Sequence, residues 1–361
     1  MTERLENALP LQIGRRRFIA ASAVGATMIA VPGIAAPEQT FVYVGSYTKD
    51  PPGGGSNNPV GLSVFRFDSN SGALTPIQQV PSANPSFVTL DPSQRFLYVV
   101  NEISDYEGQA SGSAEAYAID PSGGKITLLN RQSVKGATPA HLTVDPTGRH
   151  LIVANYVGGN FVVLPIETDG RLGPVTGEIM NAGRGPNEQR QTAPHPHMVT
   201  FDPAGRFVAT ADLGIDQVQI LRLADGGLVR VSRAATAAGA GPRHIAFHPS
   251  GQVLYVLNEL NATVTTFDYD APSGQIGNEL QTVRTEPPDY RGRQSTAAIA
   301  VHPSGKFLYV SNRGIVGYRT RRPTCSPLSD TQQTASLSRA ILPLTRAGPG
   351  STSPTRQRIP L

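Results

Sequence analysis

Groups able to move protons or hold anions gather in a few short stretches of this 361-residue chain. Pro194-His195-Pro196-His197 sets two imidazoles two residues apart, and Gly241-Pro242-Arg243-His244 sets a guanidinium beside a third. Asn258-Glu259 supplies a carboxylate, Asn101-Glu102 repeats that pair in an earlier part of the chain, and Arg313 follows Asn312. Histidine suits proton transfer near neutral pH. Arginine stays charged and holds a carboxylate, a phosphate or a developing oxyanion through paired N–H groups. Each of these residues also has a packing or turn role open to it. His248 and His302 stand before prolines and read as turn residues, and His150 follows a turn arginine. Gly53-Gly54-Gly55 and Gly158-Gly159 lack the following helix that a phosphate cradle needs. No cysteine or histidine cluster has metal-ligand spacing, so neither a metal nor another cofactor is expected. Cys325 is the single cysteine and cannot form an internal disulfide.

The elements that must position these groups follow from a repeated turn. It reads Asp91-Pro92-Ser93-Gln94-Arg95, Asp145-Pro146-Thr147-Gly148-Arg149 and Asp202-Pro203-Ala204-Gly205-Arg206. It returns as His248-Pro249-Ser250-Gly251-Gln252 and His302-Pro303-Ser304-Gly305-Lys306. The prolines are 54, 57, 46 and 54 residues apart. Proline presets the first corner of a β-turn, glycine suits a corner with positive φ, and aspartate accepts from the turn's own N–H groups. A short alternating strand precedes each turn, and a β-rich run such as Phe96-Leu97-Tyr98-Val99-Val100-Asn101 follows it. Most copies add two further strands. Four strands per roughly 50 residues is the signature of a propeller blade. An opening copy begins at Phe41-Val42-Tyr43-Val44-Gly45. His141 and His244 fall on the innermost strand of their blades, where packing near the axis and function are both open. Glycine (37) and proline (31) are frequent, which suits short strands and tight turns.

Phe41-Val42-Tyr43-Val44-Gly45-Ser46-Tyr47-Thr48, Gly241-Pro242-Arg243-His244-Ile245-Ala246-Phe247 and Leu308-Tyr309-Val310-Ser311-Asn312-Arg313-Gly314 resemble the lactonase-type seven-bladed β-propellers. That family includes bacterial 6-phosphogluconolactonases and fungal carboxymuconate cycloisomerases. The resemblance covers about residues 40–314. It implies an all-β, seven-bladed propeller of four-stranded blades, with about five to six blades recognisable and the last missing. It also implies an axial pocket of His, Arg, Glu and a second Arg. Carried onto this chain, these are His197, Arg243, Glu259 and Arg313, with His195, Glu102 and His244 as substrate-binding neighbours. The expected chemistry is hydrolysis of a sugar-acid lactone. His197 acts as base, Glu259 as its partner or as an alternative base, and the arginines as oxyanion or anion clamps. A muconate-type cycloisomerase and a non-catalytic binding platform or inactive homologue are the alternatives. The chain departs from the family at Ala298, where a glutamate is usual.

The two ends differ from the body. Gly14-Arg15-Arg16-Arg17-Phe18-Ile19, a mild apolar run to Val31 and small residues at Gly33, Ala35 and Ala36 resemble a twin-arginine (Tat) export signal spanning 1–35. The expected location is therefore periplasmic or extracellular, with the Tat translocon as a partner during export. The apolar run is too short and too rich in Ala and Gly for a stable membrane span. The ends also carry the positive charge, +2 over 1–36 and +6 over 315–361, which leaves the body at −4 within a net +4. No basic face for nucleic acid follows, and the expected partner is a small lactone or sugar acid. From 315 to 361 the chain turns rich in Ser, Thr, Arg and Pro, and a disordered tail unlike the family, of frameshift origin, is expected there. The domains expected are thus 1–35, 36–314 and 315–361. A ring that fails to close leaves strand edges exposed. The purified chain is then expected to aggregate or to melt at low temperature. A monomer that melts cooperatively above about 65 °C would contradict that expectation.

Overall fold

A computed structural model of the chain describes residues 39–49, 59–287, 289–292 and 294–313, and the backbone of 338–343. The expected leader, Cys325 and Gly53-Gly54-Gly55 lie outside the described residues. Six antiparallel sheets follow one another along the chain. The first holds β1 (Thr40–Gly45), β2 (Gly61–Phe67) and β3 (Leu74–Pro81). The second holds β4 (Pro85–Leu90), β5 (Phe96–Asn101), β6 (Ser113–Ile119) and β7 (Ile126–Ser133). The third holds β8 (Pro139–Val144), β9 (His150–Asn155), β10 (Asn160–Pro165) and β11 (Gly177–Met180). The fourth holds β12 (Pro196–Phe201), β13 (Val208–Asp212), β14 (Gln217–Ala224) and β15 (Gly227–Ala235). The fifth holds β16 (Pro242–Phe247), β17 (Val253–Asn258), β18 (Thr263–Asp270) and β19 (Gln275–Arg284). The last holds β20 (Thr296–Val301), β21 (Phe307–Asn312) and β22 (Ser338–Pro343). Four strands per unit, read from the sequence, is the arrangement of the four middle sheets.

Ser338–Pro343, within the segment expected to be disordered, pairs along the whole of β21. The reason is physical. The outer edge of β21 presents unpaired N–H and C=O groups, and backbone pairing satisfies them whatever the side-chain pattern.

The innermost strands β4, β8, β12, β16 and β20 contact one another in turn around an axis. The core lies in slabs between successive sheets. One slab joins Tyr98 and Val100 to Leu142, Leu151 and Val153, and another joins Ala209 and Ile220 to Ile245, Leu254 and Val256. Fully burying such a side chain stabilises by about 1.5–3 kcal/mol, so each sheet is held mainly by its neighbours. Tyrosines latch the slabs. Tyr43 Oη donates to Gly124 O at 2.8 Å and Tyr98 Oη to Gly170 O at 3.0 Å. Gly124 (φ +70°) and Gly170 (φ +87°) tip the outer hairpin of the next sheet, and a Cβ there would strike the Phe41 or Phe96 ring. Only glycine meets both demands.

The repeated turn behaves as its composition dictates. Asp91 accepts from Ser93 N and Phe96 N, Asp145 from Arg149 N and His150 N, and Asp202 from Arg206 N and Phe207 N. His248 and His302 replace that aspartate, and the ring Nδ1 of each bonds the turn serine. Gly158-Gly159 belongs to the β9–β10 turn.

Candidate active site

The inner strands β4, β8, β12 and β16 begin with the same irregularity. The register against the second strand slips between Pro85 and Phe87, Pro139 and His141, Pro196 and Met198, and Pro242 and His244. A β-bulge inserts one residue and re-aims side chains there. The inserted residues are Ser86, Ala140, His197 and Arg243. The second strands end in buried Asn101, Asn155, Asp212, Asn258 and Asn312, each at most 1 % exposed. Asn101, Asn155 and Asn312 donate to carbonyls of the crossover before the inner strand. The next residue's N–H then bonds the segment leading into the inner strand: Glu102 N to Asn84 O, Tyr156 N to Thr138 O, Glu259 N to Gly241 O and Arg313 N to Ser295 O. One end of the axis is therefore rimmed by two sets of side chains. One set stands on the bulges and the other follows the buried Asn or Asp.

Glu259 sits at the centre of this rim, 3 % exposed. Arg190 NH2 lies 3.0 Å from its Oε1, and Arg243 Nε and Arg313 NH2 lie 3.0 and 2.9 Å from its Oε2. Burial works to raise the Glu259 carboxyl, but the three guanidiniums outweigh it and hold the group below the usual carboxylate range. Burial pulls Arg243 down to about 10, and Arg313 adds to that against the pull of Glu259. It remains a cation at neutral pH. Arg243 NH1 donates to the Ala297 carbonyl and lies 3.0 Å from His244 Nε2. Arg313 NH2 donates to Thr296 O at 3.0 Å, while its buried Nε has no hydrogen-bond partner among the described residues.

Beside the arginines the histidines meet edge to face. His197 and His244 are 5.5 Å apart by ring centroid, and His244 and His141 5.7 Å. The His141 ring lies 3.9 Å from that of Phe87, tilted by 36°. Burial first, and the Arg243 charge second, push His197 and His244 well below the ordinary imidazole range and His141 to about 3. All three are neutral at pH 7, and His197 Nδ1 is buried without a hydrogen-bond partner among the described residues. His195 lies flat on Tyr156 at 4.4 Å, with its Nδ1 2.9 Å from the Tyr156 carbonyl. Glu102 accepts from Tyr47 Oη at 2.6 Å.

The structure thus brings together His195, His197, Arg243, His244, Glu259 and Arg313. Glu102 belongs to the same rim, close enough for Arg243 to act on its carboxyl. It does not pair Glu259 with His197, as the sequence reading expected. The carboxylate faces three guanidiniums, and an ionised group so held is a poor base.

Sequence reasoning missed Arg190, Tyr156 and Tyr47. Tyr47 and Tyr156 occupy the station of Glu102 and Glu259 in other copies, so aligning the copies would have found them. Arg190 lies on the β11–β12 loop, which has no repeat to read. That loop is anchored by fully buried Gln191, whose Nε2 donates to Leu213 O and Asp216 Oδ1. Arg190 NH2 also donates to Tyr156 Oη at 3.2 Å.

Fixed cations beside neutral imidazoles are groups that can stabilise a developing oxyanion and accept a proton. The chain is a member of the lactonase, seven-bladed β-propeller family, whose family model matches residues 41–334. A 6-phosphogluconolactonase of Bacillus subtilis is 37 % identical over 273 residues, 75 % of this chain and 74 % of that protein. The crystal structure of a putative 6-phosphogluconolactonase of Bacteroides fragilis superposes with a TM-score of 0.68 at 33 % identity, covering 78 % of this chain and 77 % of that one. The periplasmic gluconolactonase of Pseudomonas aeruginosa superposes with a TM-score of 0.66 at 31 % identity, covering 77 % of each chain. No helix among the described residues is long and apolar enough to cross a membrane.

The three neutral histidines set a pH dependence of stability. An unfolded histidine takes up its proton near pH 6.5, whereas the folded channel refuses it until much lower pH. The unfolded state therefore binds more protons as pH falls from about 6.5. Stability should drop by up to about 1.4 kcal/mol per pH unit for each of the three. Glu259 adds its own loss only near the carboxylate range, below about pH 5. Urea midpoints measured between pH 8 and pH 5 should fall below pH 6.5, and the fall should be shallower in His141→Gln. A flat profile would contradict the assignment.

Proposed function

We propose that the chain is an exported lactonase that hydrolyses a sugar-acid lactone at the axial mouth. The observation that carries this reading is the convergence of Arg190, Arg243 and Arg313 on the single carboxylate of Glu259, next to neutral His197. Three cations balanced by one anion leave positive charge for an oxyanion or a carboxylate product. Arg313 Nε and His197 Nδ1, without hydrogen-bond partners among the described residues, suit a bound polar substrate.

Water attacks the lactone carbonyl while His197 takes its proton, for which a neutral imidazole is needed. The carbonyl oxygen becomes an oxyanion, and Arg243 and Arg313 lower that barrier by fixed charge in a half-buried site. Glu259 holds both guanidiniums in place and does not itself move a proton. His195, His244 and Glu102 line the substrate. The names of the relatives, two 6-phosphogluconolactonases and a periplasmic gluconolactonase, support a sugar-acid lactone as substrate. The twin-arginine motif at Arg15-Arg16 supports export to the periplasm. Phosphorylated sugar lactones arise in cytoplasmic metabolism, so export favours an unphosphorylated lactone.

Arg243→Ala should lower kcat/KM for glucono-1,5-lactone by about 10²–10³, the usual cost of one oxyanion-stabilising group. Proton release followed at constant pH measures it. Unchanged turnover in that variant would remove Arg243 from the chemistry.

A further inference from the structure

Two carboxylates stand at equivalent stations of the rim, each directly after a buried asparagine: Glu102 after Asn101 and Glu259 after Asn258. Their surroundings are opposite. Glu259 is ringed by three guanidiniums. Glu102 makes no ion pair among the described residues, and its Oε2 accepts from the phenol of Tyr47 at 2.6 Å. Tyr47 occupies the same station in the first sheet, where Ser46 replaces the asparagine. Glu102 is fixed from below as well. Its N–H bonds Asn84 O, and Asn101 Nδ2 bonds Ser82 Oγ and Ala83 O. Burial pushes the Glu102 carboxyl up, against Tyr47, the Ser86 hydroxyl and the charge of Arg243. Arg243 and Arg313 also act on Tyr47, so the phenol and the carboxyl both lie within electrostatic reach of the cations. Paired carboxyls whose environments drive them apart mark a division of labour, one staying ionised and the other carrying a proton.

Lactone hydrolysis needs such a proton. The ring oxygen leaves as the alkoxide of an alcohol, which is far too weak an acid for that oxygen to depart readily unprotonated. We infer that Glu102 donates the proton to the ring oxygen as the lactone opens, with Tyr47 as the residue that positions it; this rests on the lactonase reading above. Water's oxygen bonds to the carbonyl carbon and its proton goes to His197. The carbon–ring oxygen bond then breaks, and the departing oxygen takes the Glu102 proton. The imidazolium releases its proton to solvent, the carboxylate regains one from it, and the product is the open hydroxy acid.

The test compares two lactones with different leaving groups. Glucono-1,5-lactone expels an alkoxide. Dihydrocoumarin expels a phenoxide whose acid has a pKa of about 10 and needs little help. Glu102→Gln keeps an acceptor for Tyr47 but cannot donate a proton from a carboxyl. On glucono-1,5-lactone its kcat should fall by about 10²–10³ with KM within about threefold. The loss of kcat on dihydrocoumarin should be at least about tenfold smaller than that on glucono-1,5-lactone, and a melting midpoint near that of wild type shows that the variant is folded. Tyr47→Phe removes a donor to the carboxylate, so the alkaline limb of the wild-type kcat profile should move to higher pH. Equal losses on both lactones, no loss on either, or an unmoved alkaline limb would overturn the role of Glu102. A wild-type protein that opens neither lactone would instead overturn the lactonase reading, and the Glu102 role with it.

Discussion

The carboxylate of Glu259 holds the functional end of this molecule in shape. Its three cationic neighbours come from separate parts of the fold. Arg190 comes from the loop before the fourth sheet, Arg243 from the start of the fifth, and Arg313 from the end of β21 in the last. Without the shared anion, three guanidiniums at a half-buried mouth would repel one another. Removing one partner of a buried ion pair generally costs about 3–5 kcal/mol, because the other charge is left uncompensated. Glu259 thus joins neighbouring sheets electrostatically where the slabs of apolar core end. It also fixes the charges that the chemistry needs before any substrate arrives.

That arrangement grows out of a backbone device repeated from sheet to sheet. A bulge at the start of an inner strand turns one side chain toward the axis, and a buried Asn or Asp at the end of the second strand secures the crossover. The residue that follows joins the rim. Because the scaffold repeats, chemistry is chosen simply by residue type at each station. Ser86, Ala140, His197 and Arg243 fill one set, and Glu102, Tyr156, Leu213, Glu259 and Arg313 the other. The same scaffold can hold a base, a cation, a proton-bearing carboxyl or an inert filler.

Much of this was legible in the sequence, and for local reasons. The Asp-Pro-x-Gly turns and period-2 strands are short-range signals, and the structure uses them as read. The resemblance set His197, Arg243, Glu259 and Arg313 together, and in the structure they are neighbours at one end of the axis. What escaped depends on distance in the chain. Arg190 reaches Glu259 across 69 residues from a loop without periodicity. The three guanidiniums around Glu259 escaped as a set, because they come from separate parts of the chain. Ser338–Pro343 was missed because backbone pairing to β21 leaves no trace in side-chain alternation.

The central claim, that this mouth opens lactones, is tested most directly by proton release at constant pH when the purified chain meets glucono-1,5-lactone, with spontaneous hydrolysis subtracted. The account predicts release that is proportional to protein and saturates with lactone. Release no faster than the spontaneous rate at every lactone concentration would contradict it.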